Sequence, residues 1–323
     1  MTRIVRITTP GGPEALELAD IDLPPPARGQ ARVRHTAIGV NFIDTYQRSG
    51  LYQLPLPAVL GSEASGVVEA VGDAVDLAVG TRVAYASAGP GAYADARNVD
   101  AARLLTLPDD VSDETAAAVL LKGLTAEYLI RRTHRVERGE EVLFHAAAGG
   151  VGLLACQWLR ALGARVIGTV GSDEKARLAA ENGCDHPIVY TREDFVARTR
   201  EITAGRGVRV AYDSVGKTTL MGSLACVMPR GLLVSFGNAS GKPDPVDVLA
   251  LSAAGSVYLT RPVLNHYVAT RDELVRAGAA LFEVIRNGSV KAHVHARFPL
   301  TEAREAHRAL ESRTTTGALL LIP

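Results

Sequence analysis

VLFHAAAGGVGLL, residues Val142–Leu154, is the stretch on which the fold turns. A strand-length apolar run meets three glycines and then continues with helix-like apolar spacing, the rhythm of a phosphate-binding turn between a strand and a helix. A dinucleotide fingerprint needs three small positions. One permits the tight turn, one lets backbone approach a pyrophosphate, and one lets helix pack on strand. These slots fall on Ala147, Gly149 and Gly152, so the first holds an alanine where glycine is usual. A pyrophosphate would rest on the N–H groups of Gly150 and Val151, at the positive end of the helix dipole. Alone, the motif does not separate a nucleotide site from a core turn; its surroundings carry the decision.

Those surroundings repeat a strand-then-helix rhythm. EEVLFHA, ARVIGTV, HPIVY, VRVAYDS, GLLVSFG and GSVYLT are apolar runs of strand length, and helix-like segments such as GLLACQWLRALG and SDEKARLAAENG separate most of them. Strands without hydrophobic alternation indicate a parallel sheet covered on both faces, a doubly wound α/β domain. The first hundred or so residues read differently. RIVRIT, ARVRHTAIGV, ASGVVEAVG and TRVAYAS are short strands punctuated by glycine and proline, which suggests a small β-barrel or sandwich. Near Ser112 a capped helix begins with SDETAAAVLLKGL. After about residue 261 two helical segments and a final strand, GALLLIP, remain. The expected organisation is a first domain over 1–122, a nucleotide-binding domain over 123–261, and a return to the first domain over 262–323.

The end of the second strand bears on the cofactor. NAD sites place an acid there to hold the ribose hydroxyls. Here IGTVGSDEK puts Gly171 and Ser172 at that place, with Lys175 one helical turn on. A hydroxyl, a helix N-terminus and an ammonium suit a 2′-phosphate, which favours NADPH. Asp173 and Glu174 oppose this by bringing negative charge beside the same phosphate.

Composition bounds the rest. Lys plus Arg and Asp plus Glu number 35 each in 323 residues, so no net field draws nucleic acid or an anionic membrane. Three widely spaced cysteines, Cys156, Cys184 and Cys226, fit a reduced cytoplasmic protein, and the N-terminus has no signal-peptide core. Catalytic zinc is not expected, because no cysteine precedes residue 156. His293 and His295 read as an exposed pair at a strand end. GKTT at 216–219 lacks the glycine a P-loop needs, since Ala211 stands there, and no GxSxG elbow occurs.

With these elements placed, the chain closely resembles, almost end to end, the zinc-independent quinone oxidoreductases of the medium-chain dehydrogenase/reductase superfamily. It is nearer to the bacterial NADPH:quinone reductases than to zeta-crystallin. The segments that carry the resemblance are AIGVNFIDTYQRSGLY (37–52), LKGLTAEYL (121–129), FHAAAGGVGLLACQWLRALGARVIGTVGS (144–172), RVAYDSVG (209–216), LLVSFGNASG (232–241) and ESRTTTGALLLIP (311–323). The resemblance implies a Rossmann doubly wound parallel sheet inserted in a GroES-like β-barrel domain. Zinc-dependent relatives carry ligands at the places of Asn41 and Ser62, where neither residue type present is one of theirs. It further implies that Asn41, Asp44, Tyr46 and Tyr52 position the substrate. Cofactor contacts would come from Phe42, Ile43, Asp44, Thr45 and Tyr46, from Gly150, Val151, Gly171, Ser172, Lys175 and Tyr190, and from Val215, Phe236, Gly237, Asn238 and Ser240. Tyr128 and Arg313 are carried over as well.

The implied activity is transfer of reducing equivalents from NADPH to a quinone, without zinc, by a homodimer joined through sheet edges at GSVYLT. Two other functions share parts of the pattern: an NADPH-dependent enone or alkenal reductase, and a cofactor-binding crystallin-like or AU-rich-RNA-binding protein. The zero net charge and the lack of a basic, aromatic-interleaved strip argue against the RNA function.

Overall fold

The computed structural model describes residues 1–323 and separates into two compact units. One comprises Met1–Leu124, Val268–Arg286 and Ala292–Pro323; the other comprises Thr125–Tyr267 and Asn287–Lys291. The helix Asp113–Tyr128 carries the chain from the first into the second. Its start is capped as its sequence predicts, the Thr115 N–H donating to Ser112 Oγ at 3.1 Å.

The first unit is built on the eleven-residue strand Gln30–Val40, long enough to pair with three neighbours. One edge runs antiparallel to Glu63–Val71, while the other pairs with Ala96–Asp100 along one half and with Ala318–Ile322 along the other. Arg82–Ala86 and Leu105–Thr106 extend the sheet on one side and Val294–Pro299 on the other. A second, three-stranded sheet has the order Glu17–Ile21, Thr2–Ile7, Ala58–Val59. Val33, Ile38, Val68, Val83, Tyr85, Tyr93, Leu319 and Leu321 form its core together with side chains from the helix Ala303–Glu311. The sequence pattern predicts only strands and turns before residue 112, but the structure places a helix at Phe42–Arg48. Its seven residues are too few for apolar periodicity to show.

The second unit is a six-stranded, wholly parallel sheet ordered His186–Val189, Arg165–Val170, Glu141–Phe144, Val208–Asp213, Val227–Ser235, Tyr258–Thr260. The chain starts in the middle at Glu141–Phe144, winds outward to one edge, then returns to complete the other. Strand order therefore reverses between Glu141–Phe144 and Val208–Asp213, where doubly wound sheets open a crevice at the carboxyl ends of their strands.

The turn Phe144–Gly152 lies at that point. Ala146 takes the left-handed conformation (φ 53°), and the Gly149 N–H closes onto the Ala146 carbonyl at 2.8 Å. The helix Gly150–Leu162 then leaves the turn so closely that a Cβ on Gly152 would stand 2.2 Å from the Ala146 oxygen. Ala147 is wholly buried in the first slot. Room for its methyl comes from the next strand, because a Cβ on Gly168 would lie 2.7 Å from the Ala147 Cβ and 2.5 Å from Cys184 Sγ. The alanine at the fingerprint's first position is thus matched by a glycine facing it. Gly168→Ala is expected to destabilise the protein by about 1–3 kcal/mol through overpacking, with Ala147→Gly in the same chain recovering part of the loss. Urea denaturation of the two single variants and the double variant measures the coupling; strictly additive effects would contradict the pairing.

Candidate functional site

In the first unit, strand Gln30–Val40 delivers the chain into Asn41, the N-cap of helix Phe42–Arg48. The Asn41 N–H donates to Asp44 Oδ2 at 2.9 Å, one half of a capping box. Asp44 is fully buried and accepts two further bonds, from Ser62 Oγ at 2.7 Å and from the Tyr93 hydroxyl at 3.1 Å. Burial is the main force on its carboxyl and lifts it to about 6. Those three donors pull it down, and the charge of Glu63 adds to the upward push.

Glu63 is a second carboxylate with no exposure. Its Oε1 accepts from Lys122 Nζ at 2.7 Å and from Asn41 Nδ2 at 2.8 Å, and its Oε2 accepts from the Leu121 N–H at 2.6 Å. The Asn41 amide is therefore oriented by Glu63, with Gly39 O as a longer second acceptor at 3.3 Å. Behind Asp44 the hydrogen bonds continue. Tyr93 meets His307 Nε2 at 2.9 Å, Arg48 Nη1 meets His307 Nδ1 at 3.0 Å, and Arg48 forms a fork with Glu311 at 2.7 and 3.1 Å. Guanidinium only donates, so Nδ1 accepts and Nε2 carries the hydrogen. Burial, with help from Arg48, holds His307 neutral down to about 3.

On the same helix Tyr46 stands edge-on to Tyr52, ring centres 5.3 Å apart, and Phe42 tilts against Tyr46 at 6.2 Å. The structure thus brings Asn41, Phe42, Asp44, Tyr46 and Tyr52 together. Ile43 is half-buried and Thr45 buried on that helix, Thr45 Oγ1 donating to the Phe42 carbonyl at 2.8 Å. Arg313 is exposed, in the left-handed conformation (φ 60°), in the loop after helix Ala303–Glu311.

In the second unit the helix Gly150–Leu162 has Gly149 at its N-cap and no side chain capping it. Its first N–H groups, those of Gly150 and Val151 among them, present a cradle for an anion, and no Cβ intrudes at Gly149 or Gly150. At the end of the next strand, Ser172 caps the helix Asp173–Glu181, its hydroxyl accepting from the Lys175 N–H at 3.3 Å. Tyr190 folds back over Gly171, where a Cβ would come within 3.0 Å of the tyrosine oxygen. Burial lowers the Lys175 ammonium. Gly171, Ser172, Lys175 and Tyr190 thus form one cluster.

Val215, Gly237, Asn238 and Ser240 form another. The Ser240 N–H and hydroxyl both donate to the Val215 carbonyl at 2.8 Å, and Gly237 packs on Ser214 so closely that a Cβ would lie 2.3 Å from its oxygen. Phe236 leans on Phe144 with ring centres 5.8 Å apart. Tyr128 is 3% exposed and stacked on Tyr267 at 4.5 Å, so its ring packs inside the unit.

Composition and spacing pass over several groups here. Asp213, fully buried, accepts from the N–H groups of Val215 and Gly216, from Thr219 Oγ1 and from Ser223 Oγ at 2.7–2.9 Å. Ser223 also meets His145 Nε2 at 2.9 Å, and His145 Nδ1 meets Thr169 Oγ1 at 2.9 Å. The GKTT segment is thereby tied to Asp213 through Thr219. His293 and His295 both contact the Thr316 hydroxyl, at 3.1 and 3.2 Å. No group of three or more His, Cys, Asp or Glu side chains is arranged to hold a metal ion, and no helix is long and apolar enough to cross a membrane.

Residues 27–140 match the alcohol dehydrogenase GroES-like domain, and residues 150–273 match the zinc-binding dehydrogenase family. Over 317 residues, 97% of either chain, the sequence is 52% identical to a quinone oxidoreductase of Salmonella typhimurium. It is 45% identical over 322 residues to a 2-haloacrylate reductase of a Burkholderia species, covering 97% of this chain and 96% of that one. The crystal structure of Escherichia coli quinone oxidoreductase complexed with NADPH agrees with a TM-score of 0.98 at 49% identity over the whole of both chains. The chain belongs to the zinc-independent quinone oxidoreductase family of the medium-chain dehydrogenase/reductases.

The buried titratable groups make opposing contributions to stability. His35, pushed to about 4 by burial, and His307, pushed to about 3, stay neutral in the fold while the unfolded chain protonates them near 6.5. Their contribution is present above that value and is lost as pH falls. Asp44 has the opposite sign: the fold takes up its proton near 6 and the unfolded chain only near 4, so stability rises as pH falls through that window. His145, also buried and pushed down by burial, acts in the same sense as His35 and His307, so Asp44 alone among these groups offsets the loss with acid. Asp44→Asn should steepen the fall of stability with acid by about 1.4 kcal/mol per pH unit between pH 6 and 4, read from urea midpoints at several pH values; an unchanged slope would rule out an Asp44 that titrates as described.

Proposed function

We propose that the protein is an NADPH:quinone oxidoreductase acting without zinc. The observation that carries this reading is the uncapped helix N-terminus that follows the glycine turn at the sheet's switch point. It is supported by the Ser172, Lys175 and Tyr190 cluster at the end of the next strand, and by relatives of about half-identical sequence named for quinone reduction. Gly150 and Val151 would hold the pyrophosphate, and Gly171, Ser172, Lys175 and Tyr190 the adenosine phosphate. Val215, Phe236, Gly237, Asn238 and Ser240, with Phe42 to Tyr46 and with Tyr128 and Arg313 as outer contacts, would take the remainder of the cofactor. Bound NADPH supplies a hydride to the acceptor.

The protein's own part is positioning and exclusion of water. Glu63 and Lys122 fix the Asn41 amide, Asp44 fixes the start of its helix, and Tyr46 and Tyr52 offer two aromatic faces and hydroxyls to a flat acceptor. The reduced oxygen of a quinone is a weak base, so no strong general acid is needed. Zinc has no place in this reading, because the Asn41 amide and the Ser62 hydroxyl are committed to Glu63 and Asp44. The edge strand Tyr258–Thr260, with Tyr258 exposed, supports the proposal of a homodimer joined there. Neither a nucleic-acid nor a membrane partner is part of the reading, and the cytoplasm is the proposed location.

A second reading rests on the 2-haloacrylate reductase relative: the same donor could serve an activated C=C bond. Loss of NADPH absorbance with ortho- and para-quinones, set beside enones and haloacrylates, separates the two. The double variant Tyr46→Phe, Tyr52→Phe is expected to lose about tenfold in quinone kcat/KM, one modest hydrogen bond per hydroxyl, measured at saturating NADPH because Tyr46 is also assigned to the cofactor. Full retention of kcat/KM would remove both tyrosines from the acceptor site.

A further inference from the structure

Two acids, Asp173 and Glu174, stand beside the cluster assigned to the adenosine phosphate, where negative charge should exclude a phosphorylated ribose. The structure shows where each charge goes. The segment after strand His186–Val189 folds back across the end of its neighbour: the Tyr190 N–H donates to the Val170 carbonyl at 3.1 Å, and Thr191 Oγ1 to the Gly171 carbonyl at 3.4 Å. Arg192 is thereby brought against Asp173, and its guanidinium closes a two-point fork, Nη1 to Oδ2 at 2.8 Å and Nη2 to Oδ1 at 2.7 Å. Hydrogen bonding at its own backbone and from Ser172 holds the Glu174 carboxyl below its usual range, and Arg177 lies 3.7 Å from it. Glu193, the remaining acid of the segment, accepts from the Val189 N–H at 3.0 Å and lies 3.3 Å from Arg198.

We infer that Arg192 is a specificity-determining residue: by neutralising Asp173 it keeps the pocket of Ser172, Lys175 and Tyr190 open to a 2′-phosphate, and so sets preference for NADPH over NADH. This rests on the cofactor reading above and adds to it a residue outside the pocket's own lining. The fork holds the guanidinium plane in one orientation, as a lysine at the same place could not. Both side chains are more than half exposed, so the pair contributes little to folding. Its effect is on the ligand, which carries close to two negative charges in exactly the region where an unmasked Asp173 would act.

Equilibrium binding of NADPH and NADH, followed by nucleotide fluorescence at low and moderate salt, tests the inference on the wild type, Arg192→Gln, Asp173→Asn and the double variant. Arg192→Gln should weaken NADPH by about three- to tenfold, the scale of one unmasked charge several ångströms from a dianion near a protein surface. NADH should stay within about twofold, and the loss should shrink as salt rises. Asp173→Asn should tighten NADPH, and the double variant should return close to the wild type. If the wild type prefers NADPH but both single variants leave its preference unchanged, or shift the two nucleotides equally, the role of Arg192 is overturned while the cofactor reading stands. A wild type that binds both nucleotides alike overturns the cofactor reading and this inference with it.

Discussion

Asp44 and Glu63 are two carboxylates with no solvent contact in one corner of the first unit, and the polar architecture around them follows from satisfying both. Each needs donors that cannot turn away. Glu63 has the Lys122 ammonium, a backbone N–H and the Asn41 amide. Asp44 has a backbone N–H and two hydroxyls, and one of these is fixed from a distance. Arg48 can only donate, so His307 must accept on Nδ1 and donate from Nε2, and Tyr93 must then send its hydrogen to Asp44. Because a guanidinium does not give up its proton, this chain of hydrogen bonds ends at Arg48 and conducts nothing to the surface; it locks a geometry. The helix Phe42–Arg48, with Tyr46 on it, is held at its start by Asp44 and at its end by Arg48.

The second unit uses the same device once. Asp213 ends its strand buried and collects four donors from the loop and helix that follow, among them the N–H groups of Val215 and Gly216. Ser223 donates to Asp213, so it must accept from His145, which fixes that ring's tautomer and joins the residue just before the glycine turn to the Val215 loop. Two segments far apart in sequence, each proposed to touch the cofactor, are thereby tied to one carboxylate. In both units a buried acid holds a segment whose outer face carries the binding groups, a second layer of support for a first.

How much of this is legible in the sequence depends on range. Six apolar runs at strand length and a glycine turn between the first of them and a helix are local signals, and the parallel sheet follows from them. The helix Phe42–Arg48 is not visible that way, being two turns long and rich in aromatic and β-branched residues. Nor are the side-chain partners of Asp44, Glu63 and His307, which come from positions 18 to 259 residues distant. A local sign was present all the same. Lys122 inside AVLLKGL and His145 inside VLFHAAA are polar groups in otherwise apolar runs, and a buried polar group demands a partner. Such residues mark where a long-range network must exist without saying what completes it.

Ala147 and Asp173 show the same limit from the side of the motif. Ala147 stands where the turn usually has glycine and Asp173 brings negative charge beside a phosphate pocket, and read along the chain each weakens the assignment. In three dimensions each is answered by one residue about twenty positions on: Gly168 leaves the space that the Ala147 methyl fills, and Arg192 covers the Asp173 charge. The physical requirements at those points are a fixed volume and a small net charge, and neither belongs to a single residue. A volume can be shared across two strands and a charge across two side chains. A fingerprint written as residue types at fixed spacing therefore undercounts the sequences that satisfy it, and an acid at the end of the second strand argues for NADH only when nothing of opposite charge is folded back against it.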